Sequence, residues 1–359
     1  MGPYHPSLFL PVGLSFKLRG ETVESVLPPV AGFCRRGIEA LAVGRPMADA
    51  LAIIERACSF SGQSYRLAAC QSIEAATGAT PARRARLLRS VFAEIERLLA
   101  RLWLLGLAAR AVGLGAAFHE ALEQREALFD SAEQLTGERV YWAVAEPGSV
   151  RELREDIFEV MELALDQLSG AVATWRLATE ARGPLGRATA GVGRLDRERV
   201  TALGLGGLAA QAVGIADDPR RDQPYAGYGD IAFDWVDGKS GAEAGDAAAR
   251  LAAAVADMAL SLRLIRALLD ALRDAGDEAG ATAVVSGSGG AAATVLGPHG
   301  PITCRATFAE GGRFAQVTLD RPTAAATLAA LPDALRGQPV ALVPLILASL
   351  DLCLECNDL

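Results

Sequence analysis

The stretch LLRSVFAEIERLLARLWLL, residues 87–105, sets the fold class. Leu88, Val91, Phe92, Ile95, Leu98, Leu99, Leu102 and Leu105 recur at three- and four-residue spacing, with Arg and Glu on the opposite side. That is the period of a helix and not of a strand. Thr80 caps it, and Pro81 occupies the first helical position, where its missing N–H costs nothing. At ~1.5 Å per residue such a helix reaches about 45 Å, enough to run through a whole domain.

Outward from this helix the chain stays helical. Residues 46–77 carry the same periodicity and stop near Gly78. A helix over 118–136 follows, and another is opened by the capping box Ser149-x-x-Glu152. GYGDIAFDWVDG (227–238) reads as a loop, and helix returns over 243–275. Both ends differ. LSFKL, RGE and TVESVL alternate around a glycine turn, a hairpin at about 8–28. GSGGAAATVLG, ITCRATF and FAQVTL give a small β region at about 290–320. The expected architecture is therefore mainly α (α+β). It is one domain over 1–359, with a helical core at about 46–280 and a terminal segment at 338–359. The β elements of the two ends are expected to meet.

Composition narrows the functional classes. The net charge is -8, which argues against a nucleic-acid binder, since such proteins normally carry a concentrated basic surface. Lys17 and Lys239 are the only lysines, so nearly all positive charge is arginine. Six cysteines in 359 residues are too sparse for a disulfide scaffold. GPYHPS after Met1 lacks the basic and apolar regions of a signal peptide, which points to the reducing cytoplasm. The apolar runs QPVALVPLILASL (338–350) and TALGLGGLAAQAVGIA (201–216) are too short to span a bilayer. With 51% hydrophobic residues and no span, large interfaces with partner subunits are expected, although a large α-rich core gives the same value.

The chemistry is concentrated at the end, in LDLCLECNDL (350–359). Cys353 and Cys356 are three apart and face one side of a helical turn. Thiolates at that spacing suit Zn, Fe or Ni. The alternative is that each is a small buried hydrophobe. Two sulfurs supply only half of a four-sulfur site. The remainder is sought at ERACSFSGQSY (55–65), where Cys58 is followed three residues later by Ser61, whose hydroxyl is a poor ligand for soft metals. Cys34, Cys70 and Cys304 read as buried small residues, His119 as a helix-surface residue and His299, in GPHG, as a turn residue. SGSGG (286–290) lacks the Lys-Ser/Thr helix start of a phosphate loop.

Several stretches in order resemble a known family: GPYHPSL, GFCRRGIEAL, ERACSFSGQSYRLAACQSIEAATG, LLRSVFAEIERLLARLWLLGLAARAVG, REALFDSAEQLTGERVYWAVAEPGSVRELRED and ILASLDLCLECNDL. Together they resemble the large subunit of energy-converting [NiFe] hydrogenases and its relative in complex I, the D-type subunit of NADH-quinone oxidoreductase. The resemblance runs from residue 2 to the last residue and is least clear over 185–285. It implies the helical bundle of [NiFe]-hydrogenase large subunits and an oxidoreductase. In that family two Cys-x-x-Cys motifs hold a Ni–Fe centre, the second cysteine of each pair bridging the metals. Carried over, the metal ligands are Cys58, Cys353 and Cys356, with Ser61 where a bridging cysteine belongs. Glu39 matches the glutamate that moves protons to and from the metal, a role suited to a carboxylate at a dry site. A salt bridge at a helix start is the other reading of Glu39.

The departures are specific. Tyr65 replaces the family's histidine after the first motif, Arg35 the histidine before RGIE, and Asp351-Leu352 an Asp-Pro. SGSGGA (286–291) falls where the hydrogenases carry an arginine over the metal. These changes set ordinary H2 cleavage in question. The resemblance further implies an iron–sulfur cluster in a small partner subunit and a separate N-terminal-domain-like subunit. It also implies membrane-embedded ion-pump subunits, with this chain peripheral on the inner face of the cell membrane. Two other functions stay open. One is a metal-free structural or coupling subunit. The other is a quinone reductase similar to the complex I relative, with its quinone site at His5, Ser59 and Tyr65.

Overall fold

The computed structural model describes residues 13–27, 36–154, 156–215, 217–235, 244–276, 289–309 and 311–358. Strands β1 (Phe16–Arg19) and β2 (Thr22–Val26) form the first hairpin, followed by α1 (Ile38–Ala42), α2 (Met47–Glu55), α3 (Gly62–Thr77), α4 (Arg83–Ala111) and α5 (Gly115–Thr136). A two-residue ladder, β3 (Ala145–Glu146) with β4 (Ser149–Val150), leads into α6 (Ile157–Thr179). Four short helices, α7 (Pro184–Thr189), α8 (Arg197–Leu203), α9 (Gly207–Gln211) and α10 (Pro219–Asp222), precede α11 (Ala247–Arg273). The chain closes with β5 (Gly289–Gly297), β6 (Gly300–Ala309), β7 (Arg313–Asp320), α12 (Pro322–Leu335) and α13 (Val343–Ser349). The mainly helical architecture and the β elements toward both ends are as the sequence leads one to expect.

The central helix α4 packs against α5, α11 and α13, and its apolar positions Leu88, Val91, Phe92, Ile95, Leu98 and Leu102 lie in the main core. Its other side departs from a simple amphipathic helix. Arg89, Glu94, Glu96, Arg97 and Arg101 are buried too. Three of them are offset by partners reached through the fold: Arg89 by Glu74 at 2.6 Å, Glu94 by Arg220 at 3.0 Å, and Arg101 by Asp257 at 2.8 Å. Charged side chains are almost never fully buried unless paired in this way.

Glu96 has a different task. Its carboxylate accepts the Gln63 and Ser64 backbone N–H groups at 2.6 and 3.1 Å and the Ser64 hydroxyl at 2.5 Å. It thus caps the first turn of α3 from across the core, satisfying N–H groups that no helix satisfies itself. Burial pushes its pKa from 4.5 up to about 8, against the lowering effect of these bonds. The folded state therefore holds a proton that the unfolded chain releases. Stability is fully present at low pH and is lost as pH rises from about 4.5 to about 8, at up to about 1.4 kcal/mol per pH unit. Urea midpoints of wild type and Glu96→Gln across that window should diverge, the variant lacking this fall. Parallel profiles would refute the assignment.

Several sequence readings need correction. The periodic run 46–77 is two helices, because the chain breaks at Arg56 and turns through Cys58 before α3 starts at Gly62. Gly62 is required at that start: a Cβ there would stand 2.6 Å from the Glu55 carbonyl oxygen. Helix α4 begins at Arg83 with Ala82 at its cap, not at Thr80. Ser149 does not open a helix. It belongs to β4, its carbonyl is taken by Arg89, and α6 starts at Ile157. The loop 227–238 contains a 3-10 turn at Tyr228–Asp230, and its end lies outside the described residues.

The two β regions do not join as one. β5, β6 and β7 form their own antiparallel sheet, whereas the β1–β2 hairpin pairs with the chain after α12. There the Val23 N–H donates to Gln338 at 2.9 Å, and the Val340 N–H to Glu21 at 2.8 Å. This contact, with α13 against α4, fixes the level at which the terminal segment crosses the bundle.

Candidate metal and redox site

Three cysteines from opposite ends of the chain meet. The sulfurs of Cys58, Cys353 and Cys356 lie within 4.8 Å of one another, and Cys58 and Cys353 are 3.5 Å apart across 295 positions. All three are buried. Cys58 sits in the turn between α2 and α3; Cys353 precedes the 3-10 turn Glu355–Asn357, and Cys356 lies within it. The Phe60 N–H approaches the Cys58 sulfur at 3.4 Å, and the Cys356 N–H approaches that of Cys353 at 3.5 Å. Of the three thiols Cys353 ionises first, held below its ordinary range by hydrogen bonds from Cys356 and Cys58 and by the charge of His299. Burial pushes Cys58 up, and the bond to Cys353 does the same for Cys356.

Two latches hold the motifs together. Arg36 donates to four carbonyls: Arg56 and Ala57 before Cys58, at 3.2 and 2.6 Å, and Glu355 and Asp358 around Cys356, at 2.7 and 3.1 Å. The Glu355 carboxylate reaches back, accepting the Ser59 N–H at 2.5 Å and its hydroxyl at 2.8 Å.

The surroundings contain a histidine that sequence spacing passed over. His299, in the β5–β6 turn, pairs Nδ1 with an Asp351 oxygen at 2.9 Å. The other Asp351 oxygen takes Arg101 at 2.7 Å, and Asp351 adopts φ 57, a left-handed conformation that aims its carboxylate between the two. His299 Nε2 is buried and faces the Cys353 sulfur. Burial would depress its pKa, but Asp351 and Cys353 reverse this and carry it up to about 10. No local signal marks His299, because Cys353 lies across the fold from the GPHG turn. A cavity of about 60 Å³ opens here, lined by Phe60, Trp103, His299, Asp351, Cys353 and Glu355 among others.

The remaining expected site residues fall as follows. Glu39 on α1 is half-buried, accepts the Leu319 N–H at 2.7 Å and lies 3.7 Å from Arg321. Arg321 also donates to the Cys356 carbonyl, so Glu39 communicates with the cluster through a guanidinium. Ser61 buries its hydroxyl at the start of α3 without a hydrogen-bond partner, and Tyr65 is fully buried one turn on, its hydroxyl facing the Cys356 sulfur. The Tyr65 pKa is raised by burial and by the nearby Cys356 and Cys58. His5, Cys34, Arg35 and residues 286–288 lie outside the described residues. Cys70 and Cys304 are buried and His119 is exposed, as expected.

The donor set can be compared with metal chemistry directly. Four ligands around one ion with metal–sulfur bonds near 2.3 Å place sulfurs about 3.8 Å apart; Cys58 and Cys353 are 3.5 Å apart and all three sulfurs lie within 4.8 Å, so one ion can reach all three. A two-metal centre bridged by two thiolates needs a fourth sulfur. Among the described residues no further Cys, His, Asp or Glu donor joins the three, and Ser61 offers only a hydroxyl. The residues do not fit the dinuclear group.

A family model, "Respiratory-chain NADH dehydrogenase, 49 Kd subunit", matches residues 111–286. The chain is 30% identical to the carbon monoxide-induced hydrogenase of Rhodospirillum rubrum, over 67% of this chain and 67% of that protein. It is 29% identical to the second D-type subunit of the NADH-quinone oxidoreductase of Thermodesulfovibrio yellowstonii, over 67% of this chain and 60% of that one. For the first D-type subunit of the Chloroherpeton thalassium enzyme the values are 27%, 65% and 53%. The chain thus spans a little over half to two thirds of the length of these relatives. The fold matches a chain from the structure of the membrane-bound sulfane sulfur reductase, an archaeal respiratory membrane complex. The TM-score is 0.90 at 24% identity, covering 100% of this chain and 97% of that one. Among the described residues no helix is long and apolar enough to cross a membrane.

Proposed function

Because the chain belongs to the family of the respiratory-chain NADH dehydrogenase 49 Kd subunit, we propose that it is the large, catalytic-type oxidoreductase subunit of a membrane-associated energy-converting complex. In this reading it exchanges electrons with a small iron–sulfur partner at the cluster of Cys58, Cys353 and Cys356. The observation that carries it is the convergence of three buried sulfurs across 295 positions, held by Arg36 and Glu355. The iron–sulfur subunit, an N-terminal-domain-like subunit and membrane-embedded ion-pump subunits are its partners, and the chain lies peripherally on the inner face of the membrane.

The protein's own groups support coupled electron and proton movement. Cys353 is the sulfur that ionises first, and His299 holds a proton beside it. Asp351 and Arg101 keep that imidazole oriented, and Asp257 anchors Arg101 from α11. A buried acid–base pair placed next to a redox group limits the charge that each electron adds. Glu39, the carboxylate that the resemblance assigns to proton movement, is held near the cluster by Arg321, which bridges it to the Cys356 carbonyl without itself giving up a proton. A quinone site at His5, Ser59 and Tyr65 draws less support, because the Ser59 hydroxyl is committed to Glu355. A metal-free coupling subunit accounts for the missing fourth sulfur but gives the three clustered thiols no task.

The test is rapid mixing of the reduced complex with an electron acceptor, following the partner's iron–sulfur signal. Cys353→Ala should abolish reoxidation through this subunit while leaving assembly and the iron–sulfur spectrum unchanged. Reoxidation at the wild-type rate would place the reaction elsewhere.

A further inference from the structure

The geometry points to a single soft divalent first-row metal ion held by Cys58, Cys353 and Cys356, with a fourth position open to a small exogenous ligand that enters beside His299. It rests on the reading above only in placing the chemistry at these cysteines.

Three observations converge. The sulfurs lie close enough for one ion to reach all three and lack the further thiolate that a second, bridged metal requires. A set of three protein ligands leaves one position, which is how catalytic metal sites differ from closed structural ones. Buried polar side chains turn toward the cluster: Tyr65 Oη faces Cys356, His299 Nε2 faces Cys353, and the Ser61 hydroxyl is buried without a hydrogen-bond partner. A buried polar atom is normally satisfied, so the Ser61 hydroxyl left without a partner beside three thiols is in keeping with a group bound at this place.

His299 is a positioning residue in this arrangement. It does not join the three sulfurs as an equal donor, since no fourth atom shares their 4.8 Å limit. Its Nδ1 is fixed by Asp351, leaving Nε2 toward Cys353 and the adjoining cavity. That cavity measures about 60 Å³, and Phe60 stands against the imidazole at 6.1 Å as one wall. About 10–15 Å³ of such space admits one water, so a ligand of a few atoms has room.

Cobalt(II) binding to the isolated full chain reads the site without any turnover. One equivalent should bind, with the intense visible bands of tetrahedral cobalt and sulfur-to-cobalt charge transfer in the near ultraviolet. Azide should shift the visible bands. Cys58→Ser, Cys353→Ser and Cys356→Ser should each lower affinity at least tenfold. His299→Gln should keep one equivalent and weaken only the response to azide. Metal analysis of the purified complex should find one such ion in this chain. Two ions per chain, or no ion together with a Cys58–Cys353 disulfide by mass spectrometry, would overturn the proposal. Loss of the ion in His299→Gln, or bands indifferent to azide, would show the fourth position closed. Electron exchange can fail while the one-ion stoichiometry stands, so the two readings separate.

Discussion

Glu94→Ala is expected to destabilise the protein by roughly 3–5 kcal/mol, the range for removing one partner of a buried charge pair. Glu94 lies at the middle of α4 with no exposure. Both its oxygens take Arg220 at 3.0 Å, Tyr228 donates to one at 2.5 Å and Ser261 to the other at 2.6 Å, with Arg97 at 3.5 Å. Burial pushes its pKa up, and Arg220 with Arg97 more than reverses this, so the carboxyl is ionised and held below its ordinary range. Alanine leaves two guanidinium groups in the interior with one carboxylate fewer, and leaves Tyr228 and Ser261 without their acceptor. Glu94→Gln keeps one of the two acceptor oxygens but not the charge, and should fall between. Denaturant midpoints measure both. A loss below about 1 kcal/mol in Glu94→Ala would mean that Asp218 and Asp257 compensate on their own.

Arg36→Ala is expected to weaken cobalt binding by about 10–100-fold, the usual cost of removing a group that supports metal ligands from behind. Its guanidinium joins the Cys58 turn to the terminal turn through four carbonyls, and those segments have few other ties. Glu355 still links them through Ser59, so the site should loosen without being lost. Arg36→Lys should recover little, because three donors on a flexible stem do not reproduce a planar fork. Hydrogen exchange gives an independent readout: amides of residues 353–358 should lose protection in Arg36→Ala while those of α4 do not. Unchanged affinity with unchanged exchange would remove Arg36 from the site.

Much of the fold could be read from local pattern. The 3.6-residue period marks α4, α5 and α11 to within a few residues, because each buries a continuous apolar stripe. Alternation and glycine turns mark β1–β2 and β5–β7 for the same reason at period two. The reading failed where a local rule met a tertiary demand. Ser149-x-x-Glu152 has the composition of a helix start, yet pairing with β3 and the Arg89 guanidinium claim that backbone. Residues 46–77 keep one period across a break, because period counts do not register a turn of six residues between two helices.

For the site, the cysteine motifs and Ser61 were legible, and so was the family that joins them. The site roles of Arg101, His299 and Asp351 were not. Arg101 lies on a helix side that pattern alone assigns to solvent, and its partners Asp257 and Asp351 are 156 and 250 positions away. His299 sits in an ordinary turn whose neighbours give no hint of Cys353.

The sequence by itself determined which residues share a helical or strand face, where glycine and proline must stop an element, and which side chains carry thiol chemistry. Tertiary structure alone decided what covers each face. It put the charged side of α4 in the interior, brought Cys58 within 3.5 Å of Cys353, and set an imidazole beside the pair. The physical reason is that periodicity follows from backbone geometry within one element. Burial and ionisation depend instead on which elements close around a group, and that closure is set by packing across hundreds of residues.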